Sequence, residues 1–172
     1  MNNVSIKSIE ELSQNFQFYI PSYQRGYRWK AKQVSQLIND IMFFQPTEKT
    51  PFYFLQALAV AKDNDRYNVV DGQQRLTTLF LLHWVIWNKS SENGKEKYPL
   101  TLIEGFKYKT RISSLAFCHN IIENKLLQVE GVDTLGEQLK KQPWFSEDWI
   151  YDPTISNMIS MIDFIEFKLK EY

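Results

Sequence analysis

The run Val69-Val70-Asp71-Gly72-Gln73-Gln74-Arg75 constrains the fold more than any other feature of the chain. Tyr67–Val70 reads as a short strand, and helical spacing begins directly after Asp71-Gly72. With so little chain between them, the end of the strand and the N-terminus of the helix must lie side by side. Leu76, Leu79, Phe80, His83 and Trp87 mark the expected inner face of that helix. Upstream, Phe52–Ala61 reads as a long apolar strand, and Asp63-Asn64-Asp65 is a turn signal. The two strands therefore predict a hairpin feeding the Asp-Gly turn.

The remaining elements follow from spacing. Ser8 and Glu11 form a capping box at the head of a short helix. Residues 16–20 alternate as a strand that Pro21 ends, and Pro21–Lys32 reads as a loop. Val34, Leu37, Ile38, Ile41 and Met42 give residues 32–45 a helical face. Residues 89–99 read as a polar loop, Leu100–Phe106 as a strand, and Ser113–Leu127 as a helix. Residues 128–153 have no clear period. Ile155, Met158, Ile159, Ile162, Ile165 and Leu169 make one stripe of a helix over Thr154–Lys170. The expected class is α+β: a small, partly antiparallel mixed sheet with helices around it. One domain over residues 1–172 is expected. The last helix runs to the final residues without a stop signal, which reads as a piece of a longer protein.

Composition narrows the function classes. Lysine plus arginine and aspartate plus glutamate are 20 each, so a uniformly basic DNA coat is excluded. The balance is uneven along the chain: Arg25, Arg28, Lys30 and Lys32 are met by no acid between Pro21 and Ile38. The single cysteine, Cys118, permits no intramolecular disulfide and points to a reducing, cytoplasmic setting. The apolar run Leu76–Trp87 is too short and too polar to span a bilayer, so no membrane partner is expected.

Two segments carry candidate chemistry. At Asp71–Arg75, free N–H groups at a helix N-terminus can bind an anion, with Gly72 allowing close approach. Arg75 can fork onto phosphate, Asp71 can hold Mg²⁺ through water, and Gln73 or Gln74 can position a water. The plainer alternative makes Asp71 an N-cap and the glutamines solvated helix residues. In Tyr19–Lys30, the rings of Tyr19, Tyr23, Tyr27 and Trp29 interleave with Arg25, Arg28 and Lys30. That composition suits a nucleotide or single-strand platform, or a turn whose rings pack on the sheet. His83 reads as a core histidine, and adjacent Cys118 and His119 point apart on a helix. Arg111, ahead of a helix start, can reach a phosphate or be an ordinary surface charge. No P-loop, G-x-G-x-x-G, H-E-x-x-H or nucleophile elbow is present.

The order IPSYQRGYRW, a strand carrying Phe54-Leu55-Gln56, VVDGQQRLTTL, Tyr108-Lys109-Thr110-Arg111 and DPTISNMISMIDFIE resembles the N-terminal domain of GmrSD-type modification-dependent restriction systems. The likeness runs from about Ser8 to Ile165. It implies a ParB/sulfiredoxin-like fold that binds and hydrolyses nucleoside triphosphate with a divalent metal, Mg²⁺. It also implies action on foreign or modified DNA beside a C-terminal nuclease domain or subunit. The family's D-G-Q-Q-R maps onto Asp71, Gly72, Gln73, Gln74 and Arg75, and its Y-Q-R-x-Y-x-W onto Tyr23, Gln24, Arg25, Tyr27 and Trp29. In that setting Arg25 and Arg75 neutralise phosphoryl charge, Asp71 binds Mg²⁺ or orients water, and Gln24, Gln73 or Gln74 positions the attacking water. The alternative is a nucleotide- or DNA-phosphate-binding module without turnover. No nuclease motif lies in these 172 residues, and no cysteine of the sulfiredoxin type lies in either segment.

Overall fold

A computed structural model describes residues 4–21, 23–97, 106–108 and 112–172. In chain order the elements are α1 (Ile9–Asn15), β1 (Phe18–Ile20), α2 (Ala31–Met42), β2 (Ala59–Asp63), β3 (Arg66–Asp71), α3 (Gln73–Lys89), α4 (Glu92–Lys97), β4 (Phe106–Tyr108), α5 (Ile112–Glu123), α6 (Leu135–Lys140), a 3₁₀ turn (Glu147–Tyr151) and α7 (Pro153–Leu169). The fold is α+β, as the sequence predicts.

The sheet is mixed, in the order β2-β3-β1-β4. β1 sits parallel between β3 and β4, with Phe18 opposite Tyr67 on one side and Phe106 on the other. β2 and β3 form the expected antiparallel hairpin, closed by Asn64 in a left-handed conformation, which asparagine tolerates. α1 opens on the expected capping box: Ser8 Oγ accepts from Glu11 N, and the Glu11 carboxylate accepts from Ser8 N.

The strand expected over Phe52–Ala61 is regular only from Ala59. Its first half is bent because Gln56 has φ +70°, outside the extended range. Arg75 holds the bend: its guanidinium donates to Leu55 O at 2.6 Å and Ala57 O at 3.2 Å, carbonyls a neighbouring strand would otherwise take. Residues 92–97, expected as loop, form α4. α5 ends at Glu123, short of Leu127, because Gln142 holds both the N–H and the carbonyl of Leu127. Of the expected strand Leu100–Phe106, only Phe106 lies within the described residues.

Most of the core lies among α3, α5 and α7, around Trp84, Phe117, Ile121, Met158 and Ile162. Trp84 Nε1 donates to Ile121 O at 2.7 Å, which satisfies the indole inside that core. The buried face of α2 is Val34, Leu37 and Ile38, and that of α7 includes the expected isoleucines. α3 is rotated from expectation: Thr77, Thr78, Leu81, Trp84 and Val85 are buried beside Phe80, while Leu79, His83 and Trp87 are only half-buried. Its middle is apolar on every side, so period alone could not choose the face. The choice is made at its first turn, where Gln73 and Gln74 face the loop of residues 23–30. Among the described residues no helix is long and apolar enough to cross a membrane.

Candidate anion site at the strand–helix junction

Gly72 is the N-cap of α3, with φ +93°. A Cβ there would meet Leu58 Cδ1 at 2.8 Å as well as being strained. The segment leading into β2 thus crosses directly over the turn, and only glycine fits. Asp71 closes β3 with an exposed carboxylate that has no hydrogen-bond or ion-pair partner among the described residues.

The two motifs are sewn together by amide side chains. Gln24 Nε2 donates to Val70 O at 2.7 Å, and Gln73 Nε2 to Arg25 O at 3.2 Å. These bonds bracket Asp71 and Gly72 and bring Arg25 alongside them. Gln74 Nε2 donates to Gly26 O at 3.1 Å, while its Oε1 accepts from Arg28 N at 2.7 Å and Trp29 N at 3.2 Å. A buried amide meeting one carbonyl and two N–H groups substitutes for a strand partner, which an irregular loop lacks. The glutamines of the D-G-Q-Q-R run are therefore not solvated helix residues. Gln74 bonds the loop through both its amide nitrogen and its amide oxygen, whereas Gln73 Oε1 is buried without a partner among the described residues.

The aromatics divide sharply. Tyr27 is 0% exposed, so its ring is core and cannot stack on a base in this conformation. Its hydroxyl lies 2.9 Å from Thr78 Oγ1. The Thr78 proton goes to Gln74 O, so Tyr27 is the donor. Burial pushes the Tyr27 hydroxyl up to about 12. Tyr19 is buried, with the Arg66 guanidinium over its ring at 4.9 Å. Trp29 is half-buried, and Tyr23, at 71% exposure, is the one fully exposed ring of the four.

The cations divide as well. Arg75, expected on phosphate, holds the Gln56 bend instead. Lys30 Nζ donates to Asn157 Oδ1 at 2.7 Å. Arg25 and Arg28 are exposed, and their guanidinium groups have no hydrogen-bond or ion-pair partner among the described residues. Arg111 and Ser22 lie outside the described residues. Cys118 is buried, and burial pushes its thiol up to about 12, so it is not a ready nucleophile. His119 is exposed.

Among the described residues no cluster of three metal-ligating side chains occurs. Asp71 supplies one exposed carboxylate, the donor type a hard cation such as Mg²⁺ takes alongside waters and substrate phosphates. An open cleft of about 440 Å³ lined by Asn124, Lys125, Leu127, Pro143 and Trp144 includes none of the motif residues.

Sequence reasoning missed two residues. Gln56 matters through its backbone, which no residue pattern reveals. Asn157 gave one signal, a polar side chain within the largely apolar α7.

Fold and site together define an α+β domain in which a glycine-turned strand–helix junction is stitched to a cationic loop. The sequence matches the family described as GmrSD restriction endonuclease, N-terminal domain, over residues 6–171, and the chain belongs to that family. No curated protein and no solved structure gives a significant match.

Proposed function

We propose that the domain binds a nucleoside triphosphate at this junction and hydrolyses it, as the regulatory part of a system that restricts modified or foreign DNA. The observation that carries the reading is the pair of exposed guanidiniums, Arg25 and Arg28, unpaired among the described residues, on a loop whose backbone is pinned beside the N-terminus of α3. Cations on a pinned backbone meet an anion without the loop first losing its freedom, which lowers the cost of binding. Bidentate arginine suits phosphate, and the first N–H groups of α3 add favourable dipoles. Tyr23 is the exposed ring available to a base.

Asp71 would hold Mg²⁺ together with phosphate oxygens and water, and the ion when bound supplies neutralisation of phosphate charge. Gln74 is committed to the loop, so the residues left to orient a water are Gln24 and Gln73, each with an amide oxygen that accepts nothing from the described residues. Arg75 would act on phosphate only by leaving the carbonyls of Leu55 and Ala57. That commitment favours a second reading, in which the site binds nucleotide or DNA phosphate without turnover. DNA and a nuclease domain or subunit are the partners proposed for the full system.

Phosphate release from ATP and GTP by the purified chain, with and without Mg²⁺, tests the reading. Release that disappears in Arg25→Ala supports hydrolysis. Saturable binding without release supports the second reading, and neither binding nor release overturns both.

A further inference from the structure

Asparagine is a poor helix former, yet Asn157 sits inside α7 at 6% exposure. A buried primary amide is costly unless its donors and acceptor are met. All are met by the cationic loop. Asn157 Nδ2 donates to Trp29 O at 3.0 Å and to Tyr27 O at 3.3 Å, and Oδ1 accepts from Lys30 Nζ. One turn earlier on α7, Thr154 lies so close to Gly26 that a Cβ there would fall 2.0 Å from its Oγ1.

We infer that Asn157 is a positioning residue for the anion site. Gln74 holds Gly26 O, Arg28 N and Trp29 N from α3, and Asn157 holds Tyr27 O and Trp29 O from α7. Between them they fix the successive peptides of the loop that carries Arg25 and Arg28. Only a primary amide of this length supplies two donors and one acceptor. Aspartate keeps the shape and the Lys30 contact but turns both donors into acceptors facing carbonyl oxygens. The positioning role rests on the anion-binding reading above, while the grip itself does not.

The test uses the whole chain and two readouts on Asn157→Asp and Asn157→Ala. In the first, amide exchange of Arg28 and Trp29 should speed at least about tenfold, as a lost hydrogen bond implies, while mid-α7 amides such as Ile162 hold their protection. A residue that merely stabilised the helix would speed both sets alike, and that result overturns the inference, as does unchanged loop exchange in both variants. In the second, the dissociation constant for Mg–ATP should rise about tenfold or more in Asn157→Asp, with a native circular dichroism spectrum. Loosened loop amides with unchanged ATP affinity would overturn the positioning role. If the wild-type chain binds no ATP, the functional reading fails and the positioning role with it, while the exchange readout still decides the grip.

Discussion

The junction Asp71–Arg75 and the loop Tyr23–Lys30 carry the two motifs, and the structure divides labour between them. At the junction, Gln73, Gln74 and Arg75 point their side chains at backbone: Arg25 O, the peptides of 26–29, and the carbonyls of Leu55 and Ala57. In the loop, Tyr27 is core, but Tyr23, Arg25 and Arg28 face solvent. Residues that share one expected role in the sequence are thus split by the structure: Gln73, Gln74 and Arg75 bond to backbone, while Arg25 stays exposed. Polar side chains on a rigid helix are well suited to ordering an irregular loop, because its peptides have no strand or helix partners of their own.

Three changes break or sharpen this contrast. The largest effect is expected from Gln74→Ala, which leaves Gly26 O, Arg28 N and Trp29 N without their partner. Each buried unsatisfied group costs about 1–3 kcal/mol, and partial access of water keeps the total near about 3–5 kcal/mol. Urea unfolding measures it, and a loss under about 1 kcal/mol would show that the loop needs no such clamp.

Next is the alkaline limb of stability. Tyr27 and Cys118 both hold their protons up to about 12 in the fold, against 10.0 and 9.0 as ordinary values. Above pH 9–10 the unfolded chain has released protons that the folded chain still binds, so stability falls as pH rises towards 12. The Tyr27 share is about 3 kcal/mol, two units of pKa. Tyr27→Phe should cost about 1 kcal/mol at neutral pH and flatten the loss between pH 10 and 12. An unchanged alkaline limb in that variant would place the tyrosine outside the core.

The smallest effect has the opposite sign. Gln56→Gly removes left-handed strain at an exposed position and should be neutral to stabilising by about 1 kcal/mol, with the Arg75 contacts intact. Glycine adds freedom to the unfolded chain, which trims the gain. A clear loss in thermal unfolding would mean that the Gln56 side chain contributes contacts of its own.

Much of this was legible in the sequence. The Asp-Gly turn, the Ser8 capping box, the Asn64 hairpin and the buried stripe of α7 follow from local chemistry, and the structure keeps each of them. What was not legible depends on partners far along the chain. The bend at Gln56 needs Arg75, so an apolar run that reads as one strand becomes strand only from Ala59. Whether Tyr27 faces a base or the core is decided by Thr78, and the place of Asn157 by the carbonyls of Tyr27 and Trp29. Period and propensity carry no information about such distant pairs.

The central claim is that Arg25 and Arg28 bind and the glutamines build. The direct measurement is a thermal-shift titration with ATP and GTP, with and without Mg²⁺, on the wild type and on Arg25→Ala/Arg28→Ala. The account predicts an unliganded stability within about 0.5 kcal/mol of wild type, as for exposed unpaired side chains. It also predicts that nucleotide stabilisation, about 2.7 kcal/mol at a hundredfold excess over the dissociation constant, is lost in the double variant. A double variant that nucleotide stabilises as strongly as the wild type would contradict it.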